Sequence, residues 1–385
     1  MIKTIINVGL LLGLTILING CNYFFDKDNT PTPTPLTWFK PDIQPKLLWS
    51  TRVNPGVQDE YLKTPLGITP THIFVTSRTG IVTAVNKANG QKQWQINTHL
   101  PITTGAAVND HVLVIGTREG DVIALDQSTG RQIWRRSLSG GILATPAIAG
   151  NRVIVKSTNG TIHALSLING WEVWTYQQVE PALILRGSSN PVIRDGAVIV
   201  GFANGNLAKL NLTNGQLQWL QAIAIPRGAF AIQRMIDINA DPILYQHQIY
   251  AATYQGRVAA LSWISGENKW SQEISTYTGM VADHKRVYLS DAMSLIWTFD
   301  NESGLVEWRQ NRLQARDITG PALMNGYLVV GDKEGYLHWL NTEDGHLAAR
   351  EKLGEPIYTA PFVDQGVLYV LTAKGTVSAY TYNRQ

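Results

Sequence analysis

The residues of this chain that could do chemistry are few and scattered. Its eight histidines never fall at His-x-x-x-His or His-Glu-x-x-His spacing, so no helix face offers two imidazoles to one metal. Cys21 is the single cysteine, which excludes an intrachain disulfide, a Cys-x-x-Cys zinc site and a dithiol redox pair. There is no Gly-x-Ser-x-Gly elbow; Ser139-Gly140-Gly141 reads as a turn. No acid-rich Ca²⁺ loop and no Gly-rich phosphate loop occurs. His163 and His338 lie in strand-like alternation, where a structural hydrogen bond is the expected role. The expectation is a protein without catalytic residues, metal or cofactor.

What stands out chemically is a pair of stretches suited to binding. The first is Pro181-Ala-Leu183-Ile-Leu185-Arg186-Gly187, an apolar cluster ending in a guanidinium; the second is Arg234-Met-Ile-Asp237-Ile-Asn239. Leucines and an arginine beside an acid form an anchor-and-charge patch for a protein partner. The other reading of the same residues is loop packing with an internal Arg186–Asp237 pair. Composition adds limits. With 32 basic and 29 acidic side chains the net charge is +3, and no Lys/Arg run forms a stripe for nucleic acid. Charged residues make up 16% and apolar ones 44%, which excludes a disordered acidic or basic chain.

The elements that must position these stretches come from a repeat. Gly-x-apolar-x-small-apolar is followed by a polar turn ending in Gly and by Trp four residues later. It runs Gly80…Gly90…Trp94, Gly120…Gly130…Trp134 and Gly160…Gly170…Trp174. Further copies carry Gly205/Gly215/Trp219, Gly256/Gly266/Trp270 and Ser294/Gly304/Trp308. The seventh has Gly335 and Gly345 but Ala349 in place of Trp, and the eighth begins at Gly375. A period of about 42 residues with alternating polarity and Gly-closed turns predicts four-stranded antiparallel blades. Eight of them close into an all-β, eight-bladed β-propeller. Trp49 sits on an outer strand with no repeat core before it, and the last repeat lacks that strand. Pairing the N- and C-terminal strands therefore closes the ring and removes both free edges. The long connections, Trp174 to Pro191 and Trp219 to Pro242, follow consecutive blades and so fall side by side on one face.

Ahead of the propeller, Lys3 precedes an apolar run from Ile5 to Ile18, too short to span a bilayer and of secretion-signal length. The run ends at Asn19-Gly20-Cys21, which resembles a bacterial lipoprotein signal. The resemblance implies lipidation of Cys21, and Asn22 in place of an aspartate implies sorting to the outer membrane. Each buried methylene adds about 0.8 kcal/mol, so more than one acyl chain anchors durably. Thr30-Pro31-Thr32-Pro33-Thr34-Pro35 reads as an extended spacer. The expected organisation is a signal over 1–20, a lipidated tether over 21–45 and the propeller over 46–385.

The turn Asp126-Gln-Ser-Thr-Gly130 before Trp134 resembles the Trp-docking repeat of pyrroloquinoline-quinone dehydrogenases. Those enzymes carry adjacent cysteines under the quinone, which a chain with one cysteine cannot supply. The lipoprotein-like signal, the eight repeats, Leu185-Arg186-Gly187-Ser188 and Leu328 to Trp339 together look like the BamB family. That family consists of lipoprotein propellers of the outer-membrane β-barrel assembly machinery. The resemblance implies a scaffold held at the periplasmic face of the outer membrane, with POTRA domains of BamA as partner and unfolded outer-membrane proteins as a further one. It also implies that Leu183, Leu185, Arg186, Asp237 and Asn239 form the partner surface, with Asn239 standing where the family often has an acid. Two rivals remain: a quinone-dependent enzyme, and a propeller binding cell-wall sugars, which would need an aromatic-lined mouth that the sequence does not reveal.

Overall fold

Every repeat becomes a meander of short strands whose middle two are buried on both faces. The computed structural model describes residues 31–58, 60–185 and 187–384; Cys21 and the signal, like Arg186, lie outside them. Eight four-stranded antiparallel sheets follow one another, with the chain entering each at its innermost strand. Blades I to VII span residues 67–97, 107–137, 147–177, 192–222, 243–272, 279–310 and 322–352. Blade VIII takes three strands from the C-terminal end (Phe362–Asp364, Val367–Leu371, Thr376–Arg384) and its outermost strand, Ile43–Arg52, from the N-terminal side. Among the described residues the helical content is one 3₁₀ turn, Ala231–Arg234.

The Trp and Gly of the repeat are two halves of one joint. In blades I, II, III and V the outer-strand Trp lies opposite an alanine of the third strand, as in Ala84–Trp94 and Ala124–Trp134, and a bulge follows at once. The small partner leaves room for the indole to swing towards the next blade. There its Nε1 donates to a main-chain carbonyl: Trp94 to Gln127, Trp134 to Leu167, Trp174 to Leu212, Trp270 to Asn301, at 2.8 to 3.0 Å. The ring lies on the next blade's turn glycine. At Gly170, with φ of +71°, an added Cβ would sit 2.6 Å from the Trp134 ring, so backbone conformation and packing both require glycine.

Ala349 shows why the seventh Trp is missing. A Trp there would dock on the third-to-fourth-strand turn of blade VIII, and blade VIII has none, because its last two strands come from opposite ends of the chain. The pair is inverted instead: Trp339 on the third strand faces Ala349, and the indole is fully buried against Tyr380 of blade VIII.

Packing between blades supplies the core. Each apolar cluster joins two neighbours, such as Phe74, Val82 and Ala84 of blade I with Leu113, Ile115 and Ile123 of blade II. At about 25 cal/mol per Å² of apolar surface removed from water, these seams dominate the stabilisation.

The propeller begins earlier than the sequence suggests. Ile43 is already fully buried in the outer strand of blade VIII, three residues before the expected start. Residues 34–42 lie on blade VII. The Thr34 amide donates to Gln314 O, Arg316 donates to Thr34 O, Arg350 to Thr37 O, and the Asp42 amide to Ala348 O. Phe39 lies under the Arg350 guanidinium, 5.1 Å away. An extended Pro-rich chain has no internal hydrogen bonds, so its carbonyls are free to accept from these arginines.

Candidate functional site

In an antiparallel meander the second-to-third-strand turns and the linkers between blades emerge on one face, and the remaining turns on the other. The two long connections are both linkers, so they share a face and flank blade IV. Their residues divide sharply. In the first linker Pro181, Ala182 and Leu183 are exposed, with Leu183 44% accessible, while Leu185 is half-buried and Ser189 is fully buried. In the second, residues 225–234 form an exposed apex and residues 235–240 an entirely buried stretch.

Asp237 and Asn239 therefore do not belong to the exposed surface that the sequence suggested; they are 3% and 4% accessible. An irregular linker has no period to mark which side chains point inward, and both acids and amides are drawn in to satisfy backbone groups that have no ladder partner. Asp237 Oδ1 accepts from the Leu185 amide at 2.8 Å, and its own carbonyl accepts from the Tyr254 amide. The Asn239 amide group lies against Gly187, where an added Cβ would be 2.8 Å from Nδ2. Asp241 accepts from both the main-chain and side-chain nitrogens of Asn190 at 2.8 Å, and Asn190 in turn accepts from the Thr145 amide. The second linker is thus the support on which the first is laid. The structure brings Leu185 onto Asp237 and Gly187 onto Asn239, with Leu183 exposed two residues before Leu185; Arg186 lies outside the described residues.

Sequence reasoning missed the charges beneath. Burial raises the carboxyls of Asp237, Asp241 and Glu180 above the usual acid range, against the pull of nearby lysines and amides. Burial also brings the Lys156 and Lys63 ammonium groups down to about 8. Lys156 donates to Gly201 O at 2.5 Å. Among the described residues neither ammonium is in direct ion-pair contact with the three acids. Also missed were Ile225, Phe230 and Ile232, which stand out at the second apex, 62 to 73% accessible. Gln233 Oε1 holds that apex by accepting from the Ala229 and Phe230 amides, and Arg234 by donating to Gly228 O. The signal was present as Ile225, Phe230 and Ile232, large apolar side chains in a linker that carries more of them than its buried stretch from Met235 to Ala240 takes in.

A third feature sits at the ring axis. Residues 53–58 and 60–66, between the outer strand of blade VIII and the first strand of blade I, form a strap over the mouth. Val57 and Gln58 donate to Ala373 O, Glu60 takes Arg78 and Arg118, and Val57 and Leu62 pack on Ala373. Beside it Tyr61, Tyr277 and Tyr358, with Asp317, Ile318 and Lys333, line a cavity of about 260 Å³. Ring centroids of Tyr61 lie 5.4 Å from Tyr358 and 6.2 Å from Tyr277. His163 bonds Glu172 at 2.8 Å, and His338 bonds Asp332 at 3.0 Å, both within single blades. Among the described residues no group of three metal-ligating side chains converges.

Comparison with known proteins now decides the family. The family model described as outer membrane protein assembly factor BamB matches residues 78–310 and 308–384. This chain belongs to the BamB family. The BamB of Legionella pneumophila (strain Paris) is 42% identical over 374 residues, covering 96% of this chain and 97% of the relative. The crystal structure of BamB from Moraxella catarrhalis superposes with a TM-score of 0.81 at 29% identity, over 88% of this chain and all of that one. The quinohemoprotein alcohol dehydrogenase of Comamonas testosteroni reaches a TM-score of 0.71 at 13% identity, over 87% of this chain and 76% of its own. At that identity it shares the propeller fold with this BamB-family chain and nothing further follows.

Proposed function

We propose that this chain is a non-catalytic scaffold of the outer-membrane β-barrel assembly machinery. On this reading Cys21 carries the lipid that holds it at the periplasmic face of the outer membrane. The linkers flanking blade IV then bind periplasmic POTRA domains of BamA, and unfolded outer-membrane proteins are a further partner. The observation that carries the reading is the division within those linkers. Leu183, Phe230 and Ile232 are exposed on the two linkers, while the first linker's backbone is held from beneath, at Leu185 by Asp237 and at Asn190 by Asp241. Large apolar side chains presented from a fixed backbone are the kind of anchor on which interface hot spots are built. Leu183, Leu185 and Arg186 are assigned contact; Asp237 and Asn239 are assigned support.

The test is calorimetric titration of residues 22–385 with the periplasmic region of the cognate BamA. Leu185→Ala/Arg186→Ala is expected to weaken saturable binding tenfold or more, since truncated hot-spot residues cost about 2 kcal/mol or more each. Arg186→Glu is expected to weaken it without lowering Tm. No binding by folded wild type would overturn the reading. Cys21→Ser is expected to release the folded protein from membranes.

A second reading, sugar binding at the mouth, is favoured by one observation: the tyrosine-lined cavity beside the strap. Saturation-transfer NMR with N-acetylglucosamine oligomers tests it, and signal that survives Tyr61→Ala/Tyr358→Ala would count against that cavity.

A further inference from the structure

Lys63 lies on the strap that leaves the closing blade, yet all its hydrogen bonds are made on the far side of the ring. Its Nζ donates to the carbonyl of Tyr277, to the carbonyl of Asn239 at 3.3 Å and to Asn239 Oδ1 at 3.4 Å. The sequence separations are 214 and 176 residues, which is the distance from blade I to the linkers on either side of blade V. An ammonium group has three donors and no acceptor, and here three acceptors meet it. Two of those are linker carbonyls outside any strand, groups that would otherwise be left without a partner away from water. The Asp241 carboxylate faces the same ammonium and favours its charged form, while burial opposes it.

What Lys63 holds is the support of the partner linker. Asn239 accepts from Lys63 with both its main-chain and side-chain oxygens, and its amide group closes on Gly187 with no space to spare. Asp241, two residues on, fixes Asn190 through two hydrogen bonds. Displacing the 237–241 stretch therefore displaces Leu185, Gly187 and Asn190 with it. The strap is itself fastened away from this contact, by Ala373 at one end and by Arg78 and Arg118 on Glu60, so the cation is delivered from a fixed base.

We infer that Lys63 is a positioning residue for the partner-binding linkers: from across the mouth of the ring it fixes Asn239, and through the 237–241 stretch the backbone at Leu185, Gly187 and Asn190. This rests on the binding reading above for its functional meaning, but its structural content stands separately.

The experiment is hydrogen exchange, resolved by residue, on Lys63→Met beside wild type, with calorimetric titration of both against the BamA periplasmic region. Expected are about tenfold faster exchange at the Leu185 and Asn190 amides, unchanged exchange in the buried strands of the Trp-docked blades, and binding about tenfold weaker, equivalent to about 1.4 kcal/mol. Unchanged exchange at Leu185 and Asn190 overturns the inference, whatever the affinity does. If Lys63→Met does not fold, Lys63→Gln, which keeps an amide donor, is read by the same two amides. If wild type does not bind the BamA region, the binding reading falls, while the exchange comparison still decides Lys63.

Discussion

Two regions of this propeller bury charge, and they handle it in opposite ways. At blade VII, Asp332 is fully buried with its partners in direct contact: Arg316 Nε at 2.8 Å and His338 Nε2 at 3.0 Å, with the Tyr336 amide on its other oxygen. Burial alone would raise this carboxyl; the bonds from His338 and the Arg316 charge hold it below the usual range instead. At the linkers around blade IV, Asp237 and Asp241 accept from amides, and burial wins, holding both above that range. One region spends its charges on local order. The other keeps acids whose ionised forms oppose folding, under a surface that is read here as a partner site. Strain of that kind collects where a fold serves something besides itself.

The comparison breaks most visibly at Asp332. Asp332→Ala leaves Arg316 and His338 buried beside an empty position and is expected to cost about 3–5 kcal/mol in urea unfolding. A loss under about 1 kcal/mol would mean that the network is not structural. A smaller effect separates the regions by sign: Asp237→Asn keeps an acceptor for the Leu185 amide and removes a charge that burial disfavours. It is expected to leave stability unchanged or raise it by up to about 1 kcal/mol at pH 7.

Acid titration then sharpens the contrast. A carboxyl whose folded pKa is raised weakens the fold while ionised, and this burden lifts progressively as pH falls from the folded value to the unfolded one. One whose folded pKa is lowered stabilises the fold above its unfolded value of about 3.9, and the contribution is lost as pH falls through the folded value. The stability difference between Asp237→Asn and wild type should therefore begin to shrink at a pH above the ordinary carboxylate range and be gone once pH is below the unfolded value of about 3.9. That between Asp332→Asn and wild type should persist until pH is below it. Parallel urea titrations at several pH values measure both, and identical closing points would remove the distinction. Smallest of all, Leu183→Ala should change stability by no more than about 0.5 kcal/mol, because the side chain is exposed, while weakening partner binding.

How much of this was written in the sequence follows from periodicity. Strand alternation and the Gly–Trp spacing are local and repeated, so blade number, the docking joint and the shared last blade could all be read. Ala349 was visible as an exception, but its cause, a blade with no turn for an indole to rest on, exists only once the ring is closed. The linkers announced themselves by length. Which of their residues face inward did not, because an irregular segment carries no period; Asp237 and Asn239 read as surface and lie beneath it. Lys63 was beyond reach altogether, since nothing local distinguishes a lysine whose acceptors are 176 and 214 residues away.

The shared blade also sets an order of events. Blades I to VII are each complete within one stretch of chain, so their strands can pair as soon as that stretch is available. The last cannot: Ser50 meets Ser378 across 328 residues, and Ile43–Arg52 has no partner until Thr376–Arg384 arrives. The chain-entropy cost of that meeting grows only with the logarithm of its length, so the joint is affordable but necessarily late. Until then the protein is an open arc with two unpaired strand edges, and a chain ending before Thr376 would stay one.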